Sequence, residues 1–320
     1  MEKAIVHLMF GSPNHVLISI VIPTYNRLPI LAKCLQALAQ QTLQDPCYDI
    51  IVVDDGSTDE TVAWLAAQAQ QMPQLRWYTQ NHLGPAAARN LGVTQSQADL
   101  IVFIDSDLVV TPTFLEAHWQ AWQQACQRFQ HERVFTYGRV INTSNFDAPT
   151  AEPYKVTDFS AAYFATGNVM ISRHWLLEAG LFDPQFWLYG WEDLELGVRL
   201  KQLGLKLVKA PAAVGYHWHP AFELSQLPSL IEKEFERGKM GTLFYRKHPT
   251  WAVRIMIQNT QLHWCLWGAL SLGGRLNEHS LRPLMNWLIQ RGQPDAAYQV
   301  ARIFLNWYSL LGLRQGTSQP

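Results

Sequence analysis

Asp105 and Asp107 bracket Ser106 directly after the apolar run Leu100–Ile104. Such a run reads as a buried strand, and open parallel sheets take ligands in the crevice outside the carboxyl ends of their strands. Hard divalent cations prefer oxygen, and Mg²⁺ is typically held by one or two carboxylates together with substrate phosphates. Asp-Ser-Asp at a strand end is therefore a candidate platform for a metal-bound diphosphate. The competing reading is an Asx-type turn, which Asp and Ser favour. Two more apolar runs end in polar, turn-forming residues. Ile18–Pro23 leads into Thr24-Tyr25-Asn26-Arg27, and Ile50–Val53 into Asp54-Asp55-Gly56-Ser57-Thr58-Asp59. Three such edges offer what a nucleotide needs: an acceptor for a base N–H, an aromatic or backbone wall, and carboxylates for a cation. Taken alone, Asp54-Asp55-Gly56-Ser57 could equally be a helix-capping turn.

A second acidic group follows in Trp187-Leu-Tyr-Gly-Trp191-Glu192-Asp193-Leu-Glu195. A helix N-terminus stabilises carboxylates, and an acidic first turn accounts for Glu195. Glu192 and Asp193 differ because Trp187, Tyr189 and Trp191 surround them, and aromatic faces are what pyranose rings stack on. Farther on, His217 and His219 are spaced i, i+2, which turns both to one face of a strand. Imidazole nitrogen suits Mn²⁺-class metals better than Mg²⁺. Either could be a metal ligand, with His217 favoured over His219, and the competing reading is a satisfied structural histidine.

These groups need a scaffold, and the first half of the chain predicts one. Strands are expected at Ile18–Pro23, Ile50–Val53, Leu75–Thr79 and Leu100–Ile104. Between them, helices are expected over Leu28–Gln41, from Thr58-Asp59-Glu60-Thr61 with Ser57 or Thr58 as N-cap, and over Pro85–Gln95. This alternation implies right-handed βαβ units and a mostly parallel sheet. The pattern then turns irregular. Asp147–Pro153 reads as a loop, Val169–Ser172 and Leu207–Val208 as strands, and Trp191–Leu203 as a helix closed by Gly204. From about Phe222 to Leu313 only helices rich in Trp and Leu are expected.

Composition narrows the class. Hydrophobic residues make up 48% of the 320 and charged residues 16%, which suits a folded globular protein. A net charge of −1 gives no drive toward nucleic acid. Residues 221–320 carry 11 Lys+Arg against 6 Asp+Glu, and residues 1–220 carry 14 against 20. The four cysteines lie apart with no Cys-x-x-Cys pair, which argues against a zinc site and suits a reducing cytoplasm. Met1–Asn14 makes a poor signal peptide. Ile255–Gly274 lacks formal charge but contains Gln258, Asn259, Gln261 and His263, so no transmembrane helix is expected. The first strand has no Gly-x-Gly-x-x-Gly after it and the chain has no Gly-Lys-Ser/Thr loop, which sets aside dinucleotide-binding oxidoreductases and P-loop NTPases.

Four segments, Ile20-Val-Ile-Pro-Thr-Tyr-Asn-Arg27, Val52-Val-Asp-Asp-Gly-Ser-Thr-Asp59, Gly84-Pro-Ala-Ala-Ala-Arg-Asn-Leu-Gly92 and Phe103-Ile-Asp-Ser-Asp107, together resemble the family 2 glycosyltransferases of GT-A fold, over about residues 17–220. The resemblance implies a Rossmann-like, mixed but mostly parallel sheet flanked by helices. It further implies an N-terminal extension over 1–16, a catalytic domain over 17–220 and a helical region over 221–320. It implies transfer of a sugar from a nucleotide-sugar, usually a UDP-sugar, with Mn²⁺ or Mg²⁺ on the diphosphate. Pro23, Thr24 and Tyr25 would wall the nucleotide with Arg27 nearby, Asp55 would accept from uracil N3–H, and Arg89 would lie near the diphosphate or donor sugar. Asp105 and Ser106 would line the donor site. Asp107 would bind the metal more firmly than Asp105, with His217 or alternatively His219.

The Trp191-Glu192-Asp193 segment resembles the acceptor and base motif of galactosyltransferase-like relatives. It makes Asp193 the general base of an inverting single displacement, and Glu192 and Trp191 acceptor-binding. Gly167 and Asn168 match the family pattern near the acceptor. The acceptor would be a saccharide or lipid-linked saccharide. The Trp- and Arg-bearing C-terminal region would be a peripheral membrane contact on the inner face, a helical subdomain or a homodimer contact. The rival readings are a non-catalytic pseudo-transferase and a sugar-nucleotide pyrophosphorylase.

Overall fold

Every residue of β1 (Ile18–Thr24) is buried, as befits a strand with a neighbour on each side. The computed structural model describes residues 17–43, 47–155, 158, 160 and 162–317. The extension expected over residues 1–16 lies outside them. β1 is followed by α1 (Leu28–Leu38), β2 (Tyr48–Asp54), α2 (Thr61–Gln71), β3 (Leu75–Thr79), α3 (Pro85–Gln95) and β4 (Leu100–Ile104). β1 pairs in parallel with β2 and β4, and β2 with β3. Alternate residues of these strands feed separate cores. Ile18, Ile20 and Ile22 pack with Leu31, Leu35 and Leu38 of α1, while Val21, Ile51 and Phe103 join Ala88 and Val93 of α3. Burial on both faces is why these strands are unbroken apolar runs.

The sheet continues where the sequence pattern is irregular. After β5 (Leu108–Val110) come α4 (Phe114–Phe129), β6 (Val134–Thr143), β7 (Asn168–Ser172), α5 (Arg173–Glu178), α6 (Glu192–Gln202) and β8 (Lys206–Trp218). The eight strands form one mixed sheet in the order β3-β2-β1-β4-β7-β6-β8-β5. β7 is antiparallel to β4 and β6, β6 is parallel to β8, and β5 is antiparallel to β8. The strand expected at Leu207–Val208 is thus thirteen residues long. Its register against β6 slips between Gly138 and Arg139, so that Gly138 faces Ala210 and Arg139 faces Val214. The skipped Pro211-Ala212-Ala213 breaks the alternation a strand search looks for.

The chain divides into two units. One holds residues up to Trp187 together with Glu192–His219, and the other holds Leu188–Trp191 and residues from Pro220 on. The second unit consists of α7 (Leu227–Lys247), α8 (Trp251–Met256), α9 (Gln261–Leu270), α10 (Arg282–Gln290) and α11 (Pro294–Thr317), with a short 3₁₀ turn before them and no strand among the described residues. Its core gathers Phe222, Leu227, Met285, Ala297, Ala301 and Phe304. α7 and α11 approach closely at Gly238 and Gly312, where a Cβ on either would meet backbone of the other helix. The stretch Ile255–Gly274 is split between α8 and α9. Thr260 starts the second of these helices, its hydroxyl accepting from His263 N. No helix among the described residues is long and apolar enough to cross a membrane.

Candidate active site

β2, β1 and β4 are adjacent, so their carboxyl ends stand side by side, with Thr24 opposite Asp54. Asn26, at φ 50°, stitches two of these ends together. Its side-chain oxygen accepts from Thr58 N at 2.8 Å and Asp59 N at 3.3 Å, and its own N–H donates to Ser57 Oγ at 2.8 Å. Ser57 and Thr58 therefore do not cap α2 as expected. Asp59 Oδ1 accepts the Thr61 N–H at 3.1 Å instead.

Asp55 is buried beneath an aromatic pair. Its Oδ1 accepts from Gln80 Nε2 at 2.6 Å and Leu83 N at 2.9 Å, and its Oδ2 from Gly84 N at 2.9 Å. His82 Nδ1 stands 2.9 Å from the same Oδ2. The His82 ring stacks on Tyr25 with centroids 4.1 Å apart and planes 25° from parallel. Both rings are exposed, while Pro23 and Thr24 are buried within β1, so Tyr25 and His82 form the open platform at this edge. Gly84 needs its φ of 89°, and a Cβ there would meet Trp187 O at 3.1 Å. Pro85 follows as the first residue of α3. Asp55 thus fixes the loop that carries His82, and a base N–H would have to share a carboxylate that already has four donors around it.

Arg89 is almost wholly buried. It forms an ion-pair bridge inside the protein, one arm of it to Asp105. One guanidinium nitrogen lies 2.9 Å from Asp105 Oδ1 and another 3.2 Å from Glu192 Oε1. Burial alone would lower its pKa, but the carboxylates of Asp105, Glu192 and Asp193 raise it. A Cβ on Gly167 would come 3.3 Å from Asp105 Oδ2, which places Gly167 against the same group. Asp193 sits in the first turn of α6, where its Oδ1 accepts from Leu194 N at 2.7 Å. Burial first, and the neighbouring Glu192 charge second, push its carboxyl up to about 7, against the pull of Arg89. A carboxylate tuned close to neutrality is suited to taking a proton during a reaction. Glu195 has no such role, since it pairs with Arg199 at 2.6 Å one turn along α6.

Asp107 heads a separate cluster. His217 Nε2 lies 3.0 Å from Asp107 Oδ1, and His219 Nε2 lies 3.0 Å from His217 Nδ1. One ligand atom from each of the three falls within 4.8 Å of the others. Asp105 stands outside this group, held by Arg89. The Arg27 guanidinium pairs with Asp107 Oδ2. Burial would raise the Asp107 carboxyl, but His217 and Arg27 hold it down at about 2, so it is ionised throughout the physiological range. Burial and the neighbouring His217 lower His219 to about 4, keeping it neutral. An ionised carboxylate with a neutral imidazole is a donor set that fits a Mn²⁺-class cation. Thr24 Oγ1, Asp54 Oδ1, Arg89 Nε and Glu192 Oε2 are buried without hydrogen-bond partners. Buried polar groups are usually satisfied, so the unmet atoms at the ends of β1 and β2 and on the Arg89–Glu192 pair are ones that a polar ligand could satisfy.

Two expected acceptor residues are corrected. The Asn168 side chain is fully buried and wholly engaged. Its Oδ1 meets His118 Nε2 at 2.7 Å, and its Nδ2 donates to Arg139 O and Ala213 O, both at 3.0 Å. It ties the slipped register of β6 and β8 to β7 and presents nothing to a ligand. Trp191 is also buried, its indole N–H donating to Arg237 O at 2.7 Å and its ring lying under the Arg237 guanidinium. The exposed aromatics of this segment are Trp187 (64%) and Tyr189 (50%). Ser106 is buried between the two aspartates. Sequence reading missed Asn26, His82 and His118. The first two lay within sight, one beside Tyr25 and one in the loop before Gly84-Pro85, but nothing in their spacing signalled a stack or a stitch.

The glycosyl transferase family 2 model matches residues 19–179, and that for the N-terminal domain of galactosyltransferase matches residues 149–221. The chain belongs to glycosyl transferase family 2, and its fold is GT-A. It is 28% identical to a chondroitin synthase of Escherichia coli over 63% of this chain and 35% of that one. It is 27% identical to a validoxylamine A glucosyltransferase of Streptomyces hygroscopicus over 77% of this chain and 66% of the other. The chain thus spans about a third of the length of the synthase it matches. Among solved structures, a Pyrobaculum calidifontis mannosyltransferase in complex with GDP-Man and Mn²⁺ aligns at TM-score 0.58 and 16% identity, covering 94% and 88% of the two chains. S. aureus TarS 1-349 in complex with UDP aligns at 0.51 and 14%, covering 94% and 92%.

Proposed function

We propose that this chain is a metal-dependent glycosyltransferase that moves a sugar from a nucleotide-sugar, most simply a UDP-sugar, to a hydroxyl of a saccharide or lipid-linked saccharide, with inversion. What supports this reading is a cation-fitting trio, Asp107, His217 and His219, together with a separate, near-neutral carboxylate, Asp193, which feels the charges of Arg89 and Asp105. Asp107, His217 and His219 would hold Mn²⁺ or Mg²⁺. When bound, the cation supplies Lewis-acid neutralisation of the diphosphate leaving group. Tyr25 and His82 offer a face for the base. Asp193 takes the acceptor hydroxyl proton as the new bond forms, because a sugar hydroxyl is far too weak an acid to ionise beforehand. Arg89 holds Glu192 beside Asp193 and keeps Asp105 in place. The division of labour is what a single displacement requires, with one carboxylate group at the leaving side and another at the attacking side.

Relatives named as synthases and glucosyltransferases, and structural neighbours holding UDP or GDP-Man, support the donor class. The test is nucleotide release and calorimetric UDP binding with and without Mn²⁺. Asp107→Asn and His217→Ala are expected to lose the metal-dependent part of binding. Asp193→Asn should bind as wild type does and lose turnover. Metal-independent UDP binding by wild type would overturn the metal assignment, and full turnover by Asp193→Asn the assignment of the base.

A further inference from the structure

The exposed face of α9 reverses the habit of a soluble helix. After Gln261 the residues turned to solvent are Leu262, Cys265, Leu266, Ala269 and Leu270. They stand at i, i+3, i+4, i+7 and i+8, the spacing of one helix face. No residue of this helix is buried. Its polar groups point the other way and are satisfied there. Trp264 Nε1 donates to Asn259 Oδ1 at 3.2 Å, Trp267 Nε1 donates to Gln258 Oε1 at 2.6 Å, and His263 Nδ1 meets Thr260 Oγ1 at 2.7 Å. Trp264 also sets its edge against Trp307 of α11. The helix is thus anchored by its polar side, and its apolar side is left uncovered. α8 extends the patch with Trp251 (65% exposed) and Ile255, one turn apart, and Leu262 at the head of α9 is 75% exposed. Arg254 and His263 line the depression between the two helices.

Charge identifies the occupant. From Arg237 to Asn277 the chain carries six basic residues, Arg237, Lys239, Arg246, Lys247, Arg254 and Arg275, and no Asp or Glu. We infer that the α8–α9 face is a docking surface for an anionic lipid bilayer, with the leucine row and Trp251 seated at the acyl boundary and Arg254 and Arg275 among the head groups. An apolar helix face within a stretch of chain that carries basic residues and no acids has the composition of an interfacial membrane helix. A second copy of the chain is a poorer fit, because a two-fold contact would set this acid-free basic stretch against itself. The inference rests on this surface alone, not on the transfer chemistry proposed above.

The test is co-sedimentation of the full chain with vesicles of phosphatidylcholine alone and of phosphatidylcholine containing about 30% phosphatidylglycerol, as an anionic leaflet requires. Wild type should pellet with the anionic vesicles and less so as salt rises. Leu262→Gln/Leu266→Gln/Leu270→Gln, altered only at exposed positions, should keep the wild-type melting temperature. Its partitioning should fall at least about tenfold. Arg254→Gln/Arg275→Gln should lose several-fold on the anionic vesicles and little on the neutral ones. A fluorophore on Cys265, with exposed Cys47 replaced by Ser, should report an apolar environment when anionic vesicles are added. Wild type that stays in the supernatant with both vesicles, or a triple variant that binds equally well, overturns the inference. So does a lipid-free dimer that the triple variant disperses, which would assign the face to a second copy.

Discussion

At the scale of single residues the sharpest consequence concerns Asp193. Its pKa of about 7 in the folded chain lies well above the ordinary 3.8. If it is the base, turnover should climb with pH and level off above about 7, where the carboxylate is fully ionised. Asp193→Asn should lower turnover by about 10²–10⁴-fold. The same shift has a stability consequence of fixed sign. Between 3.8 and about 7 the native state binds a proton that the unfolded chain has released, so this group makes stability fall as pH rises through that window. Asp193→Asn removes the penalty. The variant should melt with wild type near pH 4 and above it at pH 8, by about 1–2 °C for each kcal/mol relieved. Equal melting temperatures at pH 8 would show that Asp193 is solvated like a surface carboxylate. Asn168 makes the contrasting case. Asn168→Ala removes the partner of His118 Nε2 and one bond each from the Arg139 and Ala213 carbonyls, a loss of about 2–4 kcal/mol in a denaturant melt. The acceptor KM should not move, because the amide faces none of the site.

At the scale of elements, legibility followed burial. β1, β2 and β4 were readable because each is an apolar run bounded by turn residues, and their ends carry the donor-side groups. β6 was not, β8 was readable only at Leu207–Val208, and the reason lies in their pairing. Their register slips at Gly138, and Pro211-Ala212-Ala213 drops out of the ladder, so neither periodicity nor length survives in the sequence. His217 and His219 were nonetheless legible as a pair, since they lie at the regular end of β8. The reach of Arg89 to Glu192 was not, because it spans 103 residues of sequence and depends on how α3 and α6 meet the sheet. The slip itself is testable. A Cβ on Gly138 would collide with the Asn168 amide and with Ala213 O. Gly138→Ala should therefore cost about as much stability as Asn168→Ala, and the double variant less than the sum, since both break one network. Additive losses would separate the bulge from the amide.

At the scale of the whole molecule the chain is two units of opposite character. Residues 1–220 carry 20 acids against 14 basic groups, and residues 221–320 carry 6 against 11. The acidic part holds Asp107, His217, Asp193 and the Tyr25–His82 platform, and the basic part holds the uncovered face of α8 and α9. A nucleotide with its cation and a lipid surface should therefore act on separate stretches of backbone. Hydrogen exchange can read both in one protein. Mn²⁺ with UDP should slow exchange in the loops after β1, β2 and β4 and at the start of α3, where ligand binding raises the free energy of local opening. Anionic vesicles should slow exchange across Trp251–Leu270 and leave those loops unchanged. Protection of Trp251–Leu270 by the nucleotide alone would mean that the helical unit takes part in donor binding, and that its leucine row is covered by something other than lipid. Protection of the strand-end loops by vesicles alone would place the membrane at the mouth of the donor site. The two assignments stand or fall separately because no residue serves both.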